Sequence, residues 1–285
     1  MSKTDRKGPL CLVVASLFWS LGGVCIKFIP WSGMSIIGIR AALAMLVFAI
    51  FRKGFRTKLT VGNCIAALCL SGTTVMYVFA NQLTTAAAAI VLQFTSPAFI
   101  LLYQLFFYRR KPTISEVLAV LFTLLGMLLF FGDNLSGGNL LGNLFAVVSG
   151  MTFAGVCVCN KRPDADPKHS IMLGFYINTA VWLPFAFFDR AITADPLAWG
   201  LIAVLGVVQV ALAYALFSIG IKTTPALLAC LITALEPTLN PVWVALATPE
   251  RPGRFALAGG VVIIATIVLY NIRVERVARR QRIEQ

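Results

Sequence analysis

The sequence predicts an all-α, polytopic membrane protein with ten transmembrane helices in two inverted five-helix repeats. Three observations carry this prediction. Of the 285 residues, 59% are hydrophobic and 12% are charged, which is about half the charged share of an ordinary soluble domain. The chain divides into uncharged runs of about 20 residues, the length of helix that crosses a hydrocarbon core. Finally, segments of the chain recur at a spacing of half its length.

The individual spans follow from the uncharged runs and the turns between them. Residues 59–108 carry no charge for 50 residues, and a single helix of that length would measure about 75 Å, so the chain must turn back once. The polar pair Asn81-Gln82 predicts that turn. The same reasoning predicts ten spans, at 10–29, 33–51, 61–81, 84–108, 115–132, 138–160, 170–188, 196–220, 225–247 and 255–272. We expect the first span to be retained, because it is too long for a signal-peptide core.

Basic residues are concentrated in alternate loops. One side of the predicted bundle holds 19 of the 24 lysines and arginines, whereas Arg190, Arg251 and Arg254 fall on the other side. The positive-inside rule then predicts a multi-pass protein of the cell inner (cytoplasmic) membrane with both termini cytoplasmic. Topology therefore explains the net charge of +13, and we expect the basic tail to contact membrane lipid rather than nucleic acid.

The sequence predicts no cofactor, metal site or catalytic centre. All seven cysteines lie inside apolar spans, and no histidine or acidic residue is near Cys157 and Cys159 in the sequence, so packing is the expected role of the thiols. The chain has no Gly-x-x-x-x-Gly-Lys-Ser/Thr phosphate loop, which excludes an ATP-driven pump. A membrane-embedded enzyme is a remote alternative, because the only histidine, His169, is predicted to lie in a cytoplasmic loop.

An internal repeat explains the number of spans. Pro97 recurs as Pro237, and Lys111-Pro112 recurs as Arg251-Pro252, both at a spacing of 140 residues. Because five is odd, the second copy of a five-helix unit starts from the opposite side of the membrane and is inverted. The predicted units are a first repeat at 1–135, an inverted second repeat at 136–272 and a basic cytoplasmic tail at 273–285.

Several short motifs occur in an ordered series along the chain. They are Ala15-Ser16-Leu17-Phe18-Trp19-Ser20 in the first span, Arg40 in the second, Thr84-Thr85-Ala86-Ala87 and then Pro97 in the fourth, Ala234-Leu235-Glu236-Pro237 in the ninth, and Glu250 before Gly259-Gly260 in the tenth. In this order they resemble the drug/metabolite transporter superfamily, specifically its ten-helix type with two EamA-type repeats. The resemblance covers nearly the whole chain. It implies a secondary transporter that works by alternating access and most often exports amino acids or related amphipathic compounds.

Two charged residues inside spans are the first candidates for a substrate site, because a charge in the membrane costs at least about 2.5–3.5 kcal/mol. Glu236 could bind a substrate ammonium, carry a proton or neutralise Arg40. The guanidinium of Arg40 could hold a substrate carboxylate with two parallel hydrogen bonds. It could equally snorkel to the interface or pair with Glu236.

Uncharged polar and aromatic residues complete the predicted substrate site. They are Trp19, Ser20, Tyr77, Gln93, Tyr176, Asn178, Gln209, Tyr214 and Asn240. The ring of Trp19 lies mid-span, where it could pack on an aromatic or cationic substrate. Pro97 and Pro237 predict repeat-related kinks that serve gating or binding near the midplane, where such transporters hold cargo.

The expected partners are a small-molecule substrate, membrane lipid and, through Glu236, protons, in a monomer or homodimer. No motif encodes the direction of transport. The main alternative is therefore an importer of a quaternary amine such as choline, with Trp19 and Glu236 forming part of a cation box.

Overall fold

A computed structural model of the chain describes residues 3–84, 86–131, 139–239 and 254–283. The described residues form helices joined by short loops and contain no strand. The first half consists of α1 (Lys3–Trp19), α2 (Gly22–Lys27), α3 (Gly33–Arg52), α4 (Val61–Leu83), α5 (Ala86–Gln93), α6 (Ser96–Tyr108) and α7 (Ile114–Phe131). The second half consists of α8 (Leu140–Cys159), α9 (Pro167–Ala186), α10 (Pro196–Val204), the π-helix Leu205–Leu212, α11 (Ala213–Thr223), α12 (Ala226–Thr233), α13 (described over 235–239) and α14 (Arg254–Ile283).

The helices have the length and composition of membrane spans. Six stretches of the described chain are long and apolar enough to cross a bilayer, and three shorter apolar helices accompany them. The predicted fold class, an all-helical polytopic membrane protein, is confirmed. The count of ten spans stays a prediction.

Two helix ends bear on the predicted turn and on the predicted tail. α4 continues through Asn81-Gln82 to Leu83, and the chain turns at Thr84, which has extended backbone. The prediction of a turn at Asn81-Gln82 is therefore wrong, because the Asn81 side chain donates a 2.8 Å hydrogen bond to the Tyr77 carbonyl one turn earlier and remains part of the helix. α14 extends to Ile283, so the predicted tail at 273–285 continues a helix as far as it is described.

Three of the predicted spans are interrupted near their middle. The interruptions lie at Ser20-Leu21, at Phe94-Thr95 and at Ala234. The second and third are 140 residues apart, and each precedes a proline, Pro97 or Pro237. Since proline has no N–H, the carbonyls four residues earlier, of Gln93 and Thr233, lose their helical donor. The repeat-related prolines thus coincide with repeat-related breaks.

The eighth predicted span contains a different irregularity. α10 and α11 are joined by the π-helix Leu205–Leu212, whereas the predicted counterpart in the first half, α4, is α-helical throughout. Single stretches of π-helix occur preferentially at functional sites. This one carries Gln209.

The helices pack in pairs that fit a twofold relation between the two halves. α3 lies along α9 and α7 along α14, and each pair joins predicted counterparts. α4 lies along α8 just as α1 lies along α11. At the α3–α9 crossing, a Cβ added to Gly38 would come within 2.4 Å of the Leu183 backbone nitrogen, so glycine permits direct backbone contact. The boundaries of the two repeats stay a prediction.

Polar loops join the two halves at one end of the bundle, here termed the basic end and formed by residues 53–60 and 160–166. The Thr60 hydroxyl donates to the Asp164 carbonyl at 2.6 Å, and the Asp164 carboxylate accepts from the Gly62 N–H at 2.7 Å. These two bonds, of which the second is charge-assisted, hold the start of α4 against the loop that precedes α9.

The opposite end, formed by residues 28–32 and 187–195, is joined by a carboxylate. Asp189 accepts hydrogen bonds from the Ser32 N–H at 2.9 Å and the Ser35 hydroxyl at 2.6 Å. Hydrogen bonds from Ser32 and Ser35 hold the pKa of Asp189 well below its usual range, because they stabilise the ionised form. The start of α3 is thereby fixed to the end of α9.

Candidate functional site

A cavity lies between the two halves, beside the helix breaks. Its volume is about 90 Å³, which is enough for several water molecules. Both halves line it: Trp19, Arg40, Tyr77 and Gln93 belong to the first, and Asn178, Gln209, Tyr214 and Glu236 belong to the second. The cavity therefore contains eight of the eleven predicted substrate residues.

The remaining predicted residues fall elsewhere. Ser20 and Pro237 line a smaller adjoining space of about 20 Å³, and Asn240 lies outside the described residues. Tyr176 lies away from this cavity. Its hydroxyl donates to the Phe55 carbonyl in the loop at the basic end, and Tyr176 does not line the cavity.

Among the described residues that line the cavity, Arg40 and Glu236 are the only charged ones. The ion pairs of the described chain are Arg110–Glu116, Arg162–Asp164 and Lys222–Asp166, so Arg40 and Glu236 do not pair with each other. Arg40 is 6% exposed, which also rules out snorkelling in this conformation. Its Nε is buried without a hydrogen-bond acceptor in the described chain.

The three amide side chains of the cavity differ in how they are satisfied. The Asn178 oxygen accepts from the Ser71 hydroxyl at 2.6 Å, and the Gln93 nitrogen donates to the Ser149 hydroxyl at 3.2 Å. Both bonds join neighbouring helices and position these amides. The side-chain oxygen of Gln209 is buried with no donor among the described residues, so it is available to a ligand.

Aromatic rings form one wall of the cavity. The ring centroid of Trp19 lies 5.0 Å from that of Tyr214 and 6.4 Å from that of Phe153, in edge-on geometries. Tyr214 in turn lies 5.7 Å from Phe175. Edge-on packing stabilises such clusters. The wall offers an apolar surface beside the two charges.

Sequence reasoning missed several residues of the lining. They are the hydroxyl residues Thr73, Thr74, Ser96 and Thr233, and also Gly22. Hydroxyls within spans commonly bond to their own helix, as Thr73 does to the Cys69 carbonyl at 2.8 Å, so residue type gives no signal. Gly22 has a clearer role, because an added Cβ would lie 2.8 Å from the Gln209 side-chain nitrogen.

Metal chemistry finds no support in the geometry of the described ranges, which hold no group of three histidine, cysteine, aspartate or glutamate side chains suited to a metal ion. The arrangement instead suits binding of a small polar molecule with an apolar part. Two opposite charges, one free amide oxygen and an aromatic wall face one space.

Comparison with known proteins gives a family match over most of the chain. The model of the EamA-like transporter family matches residues 6–132 and, a second time, residues 140–272. An uncharacterized transporter of Bacillus subtilis (strain 168) is 24% identical over 67% of this chain, and the match spans 63% of that relative, slightly less than two thirds of its length. The pseudopaline exporter CntI of Pseudomonas aeruginosa is 24% identical over 92% of this chain and 95% of its own length.

A solved crystal structure has the same fold. It superposes with a TM-score of 0.78, covering 95% of this chain and 99% of the other, at 18% sequence identity. At that identity the likeness concerns the fold alone.

Proposed function

Because the chain belongs to the EamA-like transporter family, we propose that it is a secondary transporter that exports amino acids or related amphipathic metabolites by alternating access. The family and its relatives support a multi-pass membrane transporter, and their names point to a transporter rather than an enzyme. Direction and cargo class are the proposal. Export is supported by the relative named as an exporter, which matches over nearly its whole length.

The observation that carries the proposal is the position of the cavity. It lies between two halves that pack with twofold-related contacts, and both halves supply its polar lining. A site shared by two repeats can be exposed first to one side and then to the other by rocking one half against the other. The paired breaks beside Pro97 and Pro237 would serve as the flexible points of this movement.

The proposal includes orientation and repeat structure. Residues 1–135 and 136–272 are inverted repeats, both termini face the cytoplasm across the inner membrane, and the 19 basic residues on one side support this orientation. Lipid headgroups are the expected partner of the basic helix end after residue 272. A fluorescent protein fused to the C-terminus should be fluorescent in cells, whereas a fusion in the loop 187–195 should not; the reverse pattern would contradict the orientation.

Flux measurements test the proposal directly. Proteoliposomes loaded with labelled amino acids, and separately with labelled choline, are given an imposed pH gradient and followed for efflux and uptake. Efflux of amino acids above protein-free vesicles supports the proposal, and acceleration by the gradient adds proton coupling through Glu236. Trp19→Ala should reduce the flux, whereas Tyr176→Phe, outside the cavity, serves as the matched control.

An importer of a quaternary amine is the second candidate. The observation in its favour is that Trp19, Tyr214 and Glu236 share one cavity, because aromatic rings and a carboxylate together can bind a cation. Uptake of choline without amino-acid flux would establish this function instead. Absence of both fluxes, with conversion of a lipid or solute, would overturn transport altogether.

A further inference from the structure

The two charges in the cavity are of opposite sign and lie apart. Arg40 comes from α3 in the first half, and Glu236 from α13 in the second. No ion pair joins them. The cavity therefore has a positive and a negative site, held by different halves of the protein.

Both charged groups have unfilled bonding capacity. Over the described residues, no side-chain hydrogen bond has Arg40 as its donor or Glu236 as its acceptor, and Arg40 Nε is buried without an acceptor. A buried charge without a partner is strongly unfavourable, and removal of one partner from a buried pair is far more costly than replacement of both. A ligand that supplies one opposite charge would leave the second group unpaired.

The neutral lining adds one more acceptor. The Gln209 side-chain oxygen is buried without a donor in the described chain and lines the same space. Glu236 and Gln209 together provide acceptors for an N–H-bearing cation, whereas Arg40 provides a two-pronged donor for a carboxylate. The aromatic wall formed by Trp19 and Tyr214 remains for an apolar group.

We propose that the ligand is a zwitterion whose carboxylate binds the Arg40 guanidinium and whose ammonium binds Glu236. This inference rests on the proposed function and narrows its cargo class. Choline would leave Arg40 unpaired, and an organic acid would leave Glu236 unpaired. Only a molecule with both charges pairs with both Arg40 and Glu236, and such a ligand thereby links the two halves of the protein.

Binding to the purified protein in detergent tests the proposal independently of flux. Neutral amino acids are screened by isothermal titration calorimetry, and the tightest binder is compared with its amide, which lacks the carboxylate, and with its N-acetyl derivative, which lacks the ammonium. Loss of a hydrogen bond to a charged group weakens binding roughly 10- to 150-fold. We expect each derivative to bind weaker than the parent by a factor in this range.

Two variants identify which charged residue binds which end of the ligand. Arg40→Gln should weaken binding of the parent amino acid to the affinity that the wild type has for the amide, and it should leave the affinity for the amide unchanged. Glu236→Gln should weaken binding of the parent amino acid to the affinity that the wild type has for the N-acetyl derivative, and it should leave the affinity for that derivative unchanged. Tyr176→Phe is the matched control and should bind all three ligands as the wild type does.

Several results would overturn the zwitterion assignment. They are equal binding of the parent and either derivative, loss of all three ligands in both variants alike, and binding of choline with no amino acid bound. The flux assay keeps this failure distinct from failure of the transport function, because choline flux with no amino-acid binding would refute the zwitterion and leave transport established.

Discussion

Gly38 lies where α3 crosses α9, and replacing it with alanine would push a methyl group against the neighbouring backbone. The added Cβ would lie 2.4 Å from the Leu183 nitrogen and 2.6 Å from the Trp182 carbonyl carbon. Backbone atoms cannot rotate away, so the helices must separate by about 1 Å to reach an ordinary contact of roughly 3.5 Å. Arg40 is two residues further along α3, so its guanidinium would move with the helix.

Two opposing effects determine how much Gly38→Ala changes the free energy of unfolding. Replacing glycine by alanine inside a helix stabilises the fold by about 1 kcal/mol, whereas overpacking a tight contact costs about 1–3 kcal/mol. Gly260 in α14 isolates the first effect, because a Cβ there would meet its nearest atom, on Phe130, at 3.5 Å. We therefore expect Gly38→Ala to be less stable than Gly260→Ala by about 1–3 kcal/mol.

Thermal unfolding in detergent, followed with a thiol-reactive dye, measures this difference, because Cys157 and Cys230 are fully buried and react only on unfolding. At about 2–4 °C per kcal/mol, Gly38→Ala should unfold roughly 2–12 °C below Gly260→Ala. Equal unfolding temperatures for the two variants would refute the direct contact between α3 and α9.

Three further predictions concern the loops and the cavity. Because the folded pKa of Asp189 is depressed, the stability that its carboxylate provides is present above about pH 4 and is lost as the pH falls through the folded pKa. Asp189→Asn should therefore unfold at a lower temperature than the wild type at neutral pH, and this difference should shrink below about pH 4. A difference in unfolding temperature that does not depend on pH would contradict the bonds from Ser32 and Ser35. Tyr176→Phe should leave proteoliposome flux unchanged because its hydroxyl bonds to Phe55 away from the cavity, and a loss as large as that of Trp19→Ala would put Tyr176 back in the binding site. In Gly22→Ala the added Cβ displaces the flexible Gln209 side chain, so the KM for cargo should rise roughly 10-fold, as expected for the loss of one hydrogen bond to the cargo. An unchanged unfolding temperature would show that the effect is local. An unchanged KM would argue against cargo contact with Gln209.

The fold could be predicted from the sequence because the bilayer restricts the choices. Helices are the simplest way to satisfy backbone groups in hydrocarbon, so apolar runs and their lengths predict spans directly. The spacing of Pro97 and Pro237 likewise predicted where the fourth and ninth spans would be interrupted. The π-helix Leu205–Leu212 could not be foreseen, because its residues have the same apolar composition as an ordinary span.

The sequence predicted the charged residues of the cavity but not all of its other lining residues. Arg40 and Glu236 stand out in any membrane sequence, since charge is rare and costly there. Tyr176 lies outside the cavity because the side of α9 that faces the cavity depends on how α9 packs against its neighbours, and Asn178, two residues on, faces the cavity instead. Thr73 was missed because its bond to its own helix gives no sign of which neighbour it faces.

The two uncompensated charges also determine what an empty cavity can contain. Arg40 and Glu236 cannot be sealed in a dry space, because hydration is what offsets an unpaired ion where no protein partner is present. Water must therefore fill the space until a molecule with matching charges replaces it. Under alternating access, reorientation would then be slower without cargo than with it, so exchange of labelled for unlabelled solute would outpace net movement.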